Sequence, residues 1–353
     1  MEKRLDEEGK GGRRKNEEKG LIMQTIENRI NELHLGDPVT FRKLTMFPLK
    51  GQGEPSIDYL TLDEALSAET AGISEVSRSG SVSGLKFLND GDKPVFLLDG
   101  EELIGAKQNR ILNLSVLVPE HEEIIIPVSC VEQGRWSYNS EGMHTSNRSY
   151  FSEGRAKKAR MVSASLGNGM PAMSDQSEVW HDVARKSASF RVRSDSDAMS
   201  DIFEQHSSRI DEFVDAFQQE DNQVGALFSI GDNVAGVDIF DKPSTLRHLL
   251  PKLVRSYALD ALDSNFVTIS DNAGKAADDF LTVVRSLETR PFPAIGMGED
   301  VRFAGDAIAG GALLNNGAVI HLCAFPLKPE ADDVSSFTRS RMARASFRRG
   351  AHS

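Results

Sequence analysis

The sequence predicts an α+β fold in which antiparallel β hairpins carry several amphipathic helices in a single domain. Short apolar runs separated by tight-turn pairs such as Asp-Gly and Asn-Gly recur in the middle and near the end of the chain, and these pairs favour hairpins. Helical periodicity fills the stretches between these runs, without the regular alternation of strand and helix that builds a parallel sheet. Residues 38–326 contain no stretch with the composition of a flexible linker, so we expect residues 37–326 to form one domain.

The N-terminal part predicts a charged tail followed by a helix. Residues 1–20 are dominated by charged side chains and lack the apolar centre of a signal peptide, so we expect a disordered tail. Residues 21–36 are expected to contain an amphipathic helix that docks on the domain or on another subunit. Its apolar side chains recur at helical spacing, at Ile22, Ile26, Ile30 and Leu33.

The next elements are a strand, a short helix and an antiparallel meander. The run FRKLTMFPL predicts one strand that ends at Pro48. Thr61 and Glu64 have the spacing of a capping box, so a short helix is expected after Thr61. Residues 85–131 alternate apolar runs with turns and predict a meander of about five strands. Within it, Pro127 indicates a bulge or an edge position.

The second half of the chain predicts helices followed by strands. Residues 132–174 have the composition of a long polar loop that contains one basic helix, GRAKKARMVSASL. Asp175 and Glu178 repeat the capping-box spacing before the next helix. We then expect an amphipathic helix over DIFEQHSSRIDEFVDAFQQ, a hairpin over GALFSIGDNVAGVDIF, and a helix that Pro251 kinks or divides. A last helix precedes a closing hairpin at Asn316-Gly317.

Composition restricts the class of protein. The formal net charge is −12, which disfavours nucleic acid as a partner, because neutralising its phosphates needs clustered cations. No apolar run approaches the roughly 20 residues of a membrane helix, and the isolated thiols of Cys130 and Cys323 indicate a reducing compartment. A cytoplasmic protein is therefore expected. Residues 327–353 are rich in arginine and predict a second disordered tail, with contact to an anionic partner as the alternative.

The search for site motifs excludes several classes of enzyme. The eight histidines include no two at metal-ligand spacing. His321 and Cys323 share one face of a strand, but two ligands fall short of the usual three or four, so no metal site is expected. The glycine loops that bind phosphate or dinucleotides are absent, and so is a nucleophile elbow. Classical nucleotide hydrolases and dehydrogenases are therefore excluded, and the sequence names no cofactor.

Polar side chains interrupt the apolar meander in the stretch DGEELIGAKQNR, and a second polar group, EQGRW, follows the strand near Cys130. If the strands between them are antiparallel neighbours of similar length, both groups fall at the same end of the sheet. Together they offer cations for phosphate or carboxylate, amides for polar edges, acids for hydroxyls and a tryptophan ring for stacking. The candidate ligand-binding residues are Glu101, Glu102, Lys107, Gln108, Asn109, Arg110, Glu132, Gln133, Arg135, Trp136 and Arg255. Arg255 is included because a kinked helix could aim it at the sheet, and the alternative for the whole set is a network of salt bridges that only fixes the hairpins.

Several blocks of the sequence resemble one family. They are FRKLTMFPL, YLTLDEAL, VFLLDGEELIGAKQNRILNLSVLVP, IPVSCVEQGRW, SDQSEVWHDVA and PKLVRSYALDAL. Together they resemble the signature of the ADP-ribosylglycohydrolase-and-rhodanese-phosphatase-associated protein domain, a bacterial and archaeal family, over roughly residues 37–326. The resemblance implies a role near ADP-ribose or NAD metabolism, or in stress and conflict systems. The family has no established reaction, so the resemblance assigns no catalytic residue.

Three functions remain open at the level of sequence. The first is an accessory domain that binds an ADP-ribose-like or other nucleotide-derived ligand at the polar groups. The second is a hydrolase or transferase acting on the same class of ligand, with Glu101, Glu102 or Glu132 as general acid or base. The third is an interaction module that contacts a protein partner or associates with itself through residues 21–34.

Overall fold

The structure is a computed structural model that describes residues 19–53, 57–140, 142–264 and 273–327. Within these ranges it contains eight helices and 18 strands and forms one α+β domain, as the sequence predicts. The two predicted tails, 1–20 and 327–353, lie almost entirely outside the described residues, and their disorder stays a prediction. None of the described helices is long and apolar enough to span a membrane.

The elements have the following bounds. The helices are 19–31 (α1), Leu62–Ser67 (α2), Ser152–Gly167 (α3), Gln176–Phe190 (α4), Met199–Gln205 (α5), Ser207–Ala216 (α6), Pro243–Asp263 (α7) and Ala273–Arg285 (α8). The strands are His34–Leu35 (β1), Val39–Phe41 (β2), Leu44–Lys50 (β3), Leu60–Thr61 (β4), Ala71–Glu75 (β5), Gly84–Asn89 (β6), Val95–Leu97 (β7), Glu101–Gly105 (β8), Arg110–Leu112 (β9), Val116–Val118 (β10), Glu122–Cys130 (β11), Met143–Ser149 (β12), Gln223–Ile230 (β13), Asn233–Phe240 (β14), Glu288–Pro293 (β15), Glu299–Ala304 (β16), Ile308–Asn315 (β17) and Ala318–Pro326 (β18).

The strands form three sheets. The largest runs in the order β1-β3-β13-β14-β18-β17-β16-β15, with β2 added beside β3. The second sheet has six strands in the order β12-β8-β9-β11-β6-β5, and the third has the order β10-β7-β4. Among the described strand pairs, only β4 with β7 is parallel. The hairpins predicted over GALFSIGDNVAGVDIF and at Asn316-Gly317 are β13–β14 and β17–β18.

Apolar side chains fill a core on each face of the largest sheet, since successive strand residues point to opposite faces. Phe228 faces α6 and α7 on one side. Its neighbour Leu227 faces α1 and α8 on the other. The predicted stripe of α1 is buried here through Ile22, Ile26 and Ile30, and each such side chain contributes about 1.5–3 kcal/mol to folding. The helix therefore docks on its own domain, and this stripe is not available for self-association.

The predicted meander is divided between two sheets. β7 and β10 pair with each other in the three-stranded sheet, whereas β6, β8, β9 and β11 belong to the six-stranded one. The alternating run that predicts one strand over 111–118 is therefore two strands, β9 and β10. Pro127 is neither at an edge nor in a bulge: it pairs with Gly84 of β6, and from Val128 onward β11 pairs with β9 instead. Proline has no N–H to donate, so it fits at the point where β11 changes its partner strand.

Other boundaries also differ from the sequence prediction. The predicted strand ending at Pro48 is the hairpin β2–β3, because Arg42 turns the chain with φ 55°, a conformation that arginine rarely adopts. The long polar loop contains strand β12 besides the predicted helix α3. His206 separates α5 from α6, where one helix was expected. Pro251 lies inside α7 and does not divide it.

A buried set of charged groups joins α3 to the largest sheet. Arg155 of α3 donates to both carboxylate oxygens of Asp238 on β14, at 2.6 and 3.1 Å. Lys158, one turn later, pairs with Asp99 in the β7–β8 turn and donates to the Leu112 carbonyl at 2.8 Å. Burial raises the pKa of Asp238, but Arg155 outweighs that effect and holds this pKa well below its ordinary value. Each buried cation therefore has its own carboxylate, which is the condition for tolerating charge in a core.

Replacing Asp238 should test this buried pairing. In Asp238→Asn, the guanidinium of Arg155 stays buried without its anion, so we expect a loss of about 3–5 kcal/mol in the free energy of unfolding. The control Lys86→Gln breaks the exposed pair with Glu123 at 3.1 Å and should cost less than about 1 kcal/mol. Urea unfolding near neutral pH, where Asp238 is ionised, measures both. Equal losses in the two variants would contradict the account.

Candidate functional site

The stretch DGEELIGAKQNR folds as a β hairpin. β8 pairs with β9 through Leu103 opposite Arg110, and residues 106–109 form the turn between them. Gly105 has φ 120°, and a Cβ at this position would lie 2.6 Å from the Gly142 carbonyl oxygen, so only glycine fits. Since strand residues alternate between faces, Glu102 points to the opposite side from Leu103 and Arg110. The polar residues of the hairpin are therefore divided between two environments.

The turn meets the second polar group, as the sequence predicts. The backbone N–H of Asn109 donates to Glu132 at 3.0 Å. Arg135 donates to the Ala106 carbonyl at 2.8 Å and to the Asn109 side-chain oxygen at 3.2 Å. Arg135 also holds Glu132 through two hydrogen bonds, of 2.9 and 2.6 Å. The two segments thus converge at one end of the six-stranded sheet.

Most of the hydrogen-bonding capacity at this junction is used within the protein. Besides Arg135 and Asn109, Glu132 accepts from the hydroxyl of Ser196 at 2.8 Å. Burial raises the pKa of Glu132, but these donors outweigh burial and lower it overall. An ionised, fully hydrogen-bonded carboxylate is a weak proton acceptor. Glu132 and Arg135 therefore act as a clamp that holds the turn, which corresponds to the alternative stated for the whole set.

A second group lies around the turn, with two exposed rings over two buried cations, since Lys107 is only 9 % exposed. We name Lys107, Arg110, Trp136 and Tyr138 the ring-cation patch. The Lys107 ammonium lies 5.4 Å from the centre of the Trp136 ring and 5.1 Å from that of Tyr138. The Arg110 guanidinium lies 5.4 Å from the same tryptophan ring. Trp136 is 45 % exposed and Tyr138 is 52 % exposed, whereas Arg110 is fully buried beneath them. The patch therefore presents two rings to solvent with two cations next to them.

The loop 76–83 between β5 and β6 covers the cations of the patch. Lys107 donates to the carbonyl of Ser79 at 2.9 Å, and Arg110 lies 3.4 Å from the carbonyl of Ser81. Arg110 also lies 3.8 Å from the buried carboxylate of Glu75 and donates to Gln108 at 3.2 Å. One nitrogen of Arg110, Nε, has no hydrogen-bond partner. Arg110 is therefore held loosely by comparison with the clamp.

Two of the predicted site residues lie elsewhere. The prediction that a kinked helix aims Arg255 at the sheet is wrong. This side chain pairs with Asp211 of α6 at 2.6 Å and does not reach the hairpin. Glu101 points to α7, where Lys252 pairs with it and with Asp63. Gln133 is exposed beside the clamp. The predicted set thus separates into the clamp, the patch and these outliers.

Glu102 has the most unusual environment of the predicted residues. It is fully buried, and neither carboxylate oxygen has a hydrogen-bond partner. Its nearest cation is Arg148 of β12, at 3.7 Å, which also pairs with the exposed Glu204 at 3.1 Å. Burial raises the pKa of Glu102 to about 7, although Arg148 opposes this effect. A carboxyl that titrates near neutral pH is a group that enzymes use as acid or base.

Comparison with known proteins assigns the chain to a family. Residues 32–325 match the family described as the ARG and Rhodanese-Phosphatase-superfamily-associated Protein domain. The chain belongs to this family. The match covers all the described strands from β2 to β17, and it confirms the resemblance found in the sequence. No curated protein and no solved structure matches the chain.

Three potential metal ligands of this family member meet in the core. The ligand atoms of Asp238, His321 and Cys323 all lie within 4.8 Å of one another. The sequence identified two of them on one strand face, and the pairing of β14 with β18 adds the third. Asp238, however, is already neutralised by Arg155, and the His321 ring lies 2.8 Å from the Ser115 hydroxyl. A divalent ion would lie against a buried guanidinium, so the arrangement fits a structural network better than a metal site.

Sequence reasoning missed several residues that complete the site. Tyr138 is two residues beyond Trp136, and its place beside Lys107 depends on the path of the loop after β11. Arg148 comes from β12, which pairs with β8 in the sheet, and Glu75 comes from β5, at the opposite edge of the same sheet. An aromatic residue at the i+2 position from Trp136 was the only local signal. The remaining contacts follow from sheet order, which the sequence does not specify.

The buried carboxyl of Glu102, which has no hydrogen-bond partner, gives a pH-dependent prediction. Its pKa is raised from an ordinary value of 4.5 to about 7, so the folded state holds this proton more tightly than the unfolded state does. Folding stability is therefore lost as pH rises through this range, by up to about 3 kcal/mol. Glu102→Gln removes this loss, and its stability relative to wild type should rise between about pH 5 and about pH 8. Urea unfolding at both pH values measures the change.

The control for this prediction is Glu204→Gln, which removes the exposed acid that shares Arg148 and leaves Glu102 in place. It should still lose stability as pH rises, over a slightly lower pH range than the wild type, because Glu204 contributes to the raised pKa of Glu102. The account is wrong if Glu102→Gln differs from wild type by the same free energy at both pH values.

Proposed function

We propose that this chain is a cytoplasmic accessory domain that binds a nucleotide-derived, ADP-ribose-like ligand at the ring-cation patch. The single observation that carries the proposal is the pairing of two exposed rings, Trp136 and Tyr138, with the ammonium of Lys107. Large exposed aromatic side chains next to cations are a recurrent feature of surfaces that bind flat, anionic ligands. The free, buried thiols of both cysteines are consistent with a reducing compartment.

The rings suit the flat part of such a ligand. About half of each ring is open to solvent, so a purine base can stack on Trp136 without unfolding any part of the chain. Stacking of a base on an aromatic side chain contributes about 1–3 kcal/mol. The rest of the ring surface packs on the Lys107 and Arg110 side chains, which fixes its orientation and lowers the entropy lost on binding.

The cations suit the charged part of the ligand. The Lys107 ammonium donates to one backbone carbonyl, that of Ser79, and an ammonium has three donors. A phosphate at the edge of the rings therefore displaces no carboxylate partner from Lys107, but it has to reach an ammonium that is only 9 % exposed beneath the loop 76–83. A charge-assisted hydrogen bond of this kind contributes about 1.5–3 kcal/mol. Because the patch is open to solvent, we expect micromolar rather than nanomolar affinity.

The family supports the ligand class at a coarser level. Its description associates the domain with ADP-ribosylglycohydrolases and with the rhodanese-phosphatase superfamily. An accessory domain of an enzyme that processes ADP-ribose would benefit from holding that ligand nearby. The third function, an interaction module based on the stripe of α1, has less support because this stripe is buried in the domain.

Calorimetric titration with ADP-ribose tests the proposal. Trp136→Ala removes the stacking surface, and Lys107→Gln removes the cation, so each should weaken binding by about tenfold or more. The matched control is Lys275→Gln, on the exposed side of α8, which should bind as the wild type does. Changes at Arg110 or Arg135 are poorer tests, because Arg110 is fully buried and Arg135 holds the turn through the clamp.

The same titration distinguishes the patch from other binding surfaces. A groove of about 1210 Å³, with Arg29, Lys50 and Asp241 in its wall, lies between α1 and the end of β3. Binding that Trp136→Ala and Lys107→Gln leave unchanged would move the ligand to such a surface. If the wild type shows no detectable binding of ADP-ribose, AMP or NAD, nucleotide-derived ligands are excluded.

A second candidate function, hydrolysis or transfer on the same ligand class, is favoured by one observation, the unpartnered carboxyl of Glu102. Of the three predicted acids, Glu101 is paired with Lys252, and Glu132 is held by Arg135, which leaves Glu102 as the acid or base. This carboxyl is sealed from solvent, so a substrate reaches it only if a neighbour such as Arg148 moves.

Product analysis by chromatography tests this candidate. The assay incubates ADP-ribose or an ADP-ribosylated peptide with the purified protein. If Glu102 acts as acid or base, Glu102→Gln should lower kcat by about 100-fold or more, while Glu204→Gln keeps turnover. Unchanged turnover in Glu102→Gln would exclude the role of this residue, and absence of turnover in the wild type would leave the binding function alone.

A further inference from the structure

A small cavity on the other side of the molecule is lined by three arginines. It has a volume of about 230 Å³ and lies between α3 and the β15–β16–β17 edge of the largest sheet. Arg160 comes from α3, Arg290 from β15 and Arg302 from β16. The described lining includes no acidic side chain. In a chain with a net charge of −12, three guanidinium groups at one cavity form a local concentration of positive charge.

Arg302 is a fixed cation in the wall of this cavity. Its side chain is 7 % exposed, and Asp300 accepts from its Nε at 2.7 Å and from its Nη2. The Nη1 atom of Arg302 takes no part in this ion pair. Burial lowers the pKa of Arg302, but Asp300 outweighs that effect and raises it overall. The guanidinium is therefore charged and held in one orientation.

Arg290 is the exposed counterpart, and its guanidinium lies 5.2 Å from the centre of the Phe292 ring. Among the described residues, no carboxylate forms an ion pair with it. A guanidinium stacked on a ring keeps all five N–H donors in its own plane, free for an anion. Arg160 has an interaction of its own, so we assign it no role in binding the anion.

The remaining wall is apolar and buried. Phe303, Ile308 and Ala309 are each about 4 % exposed, so an anion in the cavity is shielded from water on this side. Hydrogen bonds to charged groups strengthen when water is excluded. The volume is below the roughly 300 Å³ of pockets that take drug-sized ligands. The cavity therefore selects a small anion and excludes one of the size of ADP-ribose.

We propose that this cavity is a binding site for inorganic phosphate or a small phosphate monoester, held between Arg290 and Arg302. Two guanidinium groups on different strands can each donate to different oxygens of one phosphate, which has three or four acceptor oxygens. A carboxylate has only two oxygens, so it accepts fewer of these hydrogen bonds. The site is separate from the ring-cation patch, which lies on the six-stranded sheet, and its ligand does not depend on the function proposed there.

Thermal unfolding titrated with inorganic phosphate, at constant ionic strength, tests the site. The wild type should be stabilised in a saturable manner, because a ligand that binds only the folded state raises its stability. Arg290→Gln, an exposed change that should leave the fold intact, is expected to weaken the apparent Kd for phosphate by about tenfold or more. The matched control Arg247→Gln changes an exposed arginine on α7 and should behave as the wild type does.

Two further measurements test whether the stabilisation is specific to this cavity and to phosphate. Lys107→Gln should bind phosphate as the wild type does. If it loses the stabilisation while Arg290→Gln keeps it, phosphate binds at the ring-cation patch and the proposal fails. Acetate at the same ionic strength should give a much smaller shift. Equal shifts with acetate and phosphate, no saturable shift in the wild type, or an unchanged Kd in Arg290→Gln would each overturn the proposal.

Discussion

The structure depends on the rule that a charge taken out of water must be paired. This domain buries Arg155, Lys158, Lys186 and Lys252 almost completely, and each contacts at least one carboxylate. The carboxylates come from other elements: Asp238 from the largest sheet, Asp99 and Glu101 from the β7–β8 region, Asp260 from α7. These pairs link α3, α4 and α7 to groups on other elements. Removing one partner leaves the other charge buried and unpaired, which costs about 3–5 kcal/mol.

The candidate site follows from exceptions to the same rule. At the β8–β9 hairpin, Glu132 and Arg135 satisfy each other and clamp the turn, so they have little left for a ligand. Lys107 is paired with rings and a backbone carbonyl instead of an acid, and the two carboxylate oxygens of Glu102 are buried without a hydrogen-bond partner. Groups that the fold leaves incompletely satisfied are those with free energy to gain from a ligand or a proton. This is why we propose ligand binding at the ring-cation patch and, for the second candidate function, proton transfer at Glu102.

Local sequence signals predicted most of the helices and strands, and they predicted that the two polar segments of the site lie together. The Asn-Gly pair at 316–317 located the β17–β18 hairpin, helical spacing located α1 and α8, and a capping box located α4. The EQGRW segment was correctly expected beside the hairpin turn. The two Asp-Gly pairs did not locate hairpins, because the strands that flank them, β6, β7 and β8, do not pair with one another. The other failures are of another kind. Arg42 turns the chain without glycine, β12 lies in a segment of loop composition, and β7 leaves the meander for another sheet. These depend on tertiary contacts that override local preference. Arg255 was misplaced for the same reason, since the direction of a helical side chain depends on how α7 packs.

The most direct test of the central claim is the response of the two indole N–H signals to ADP-ribose in a nitrogen-15 NMR spectrum. The chain has two tryptophans, and the variant Trp180→Phe assigns them. The account predicts that the Trp136 signal shifts progressively and saturates as ADP-ribose is added, while the Trp180 signal, on α4, stays in place. A Trp136 signal that does not move at saturating ligand, or a Trp180 signal that moves equally, would contradict the assignment of the ring-cation patch as the binding surface.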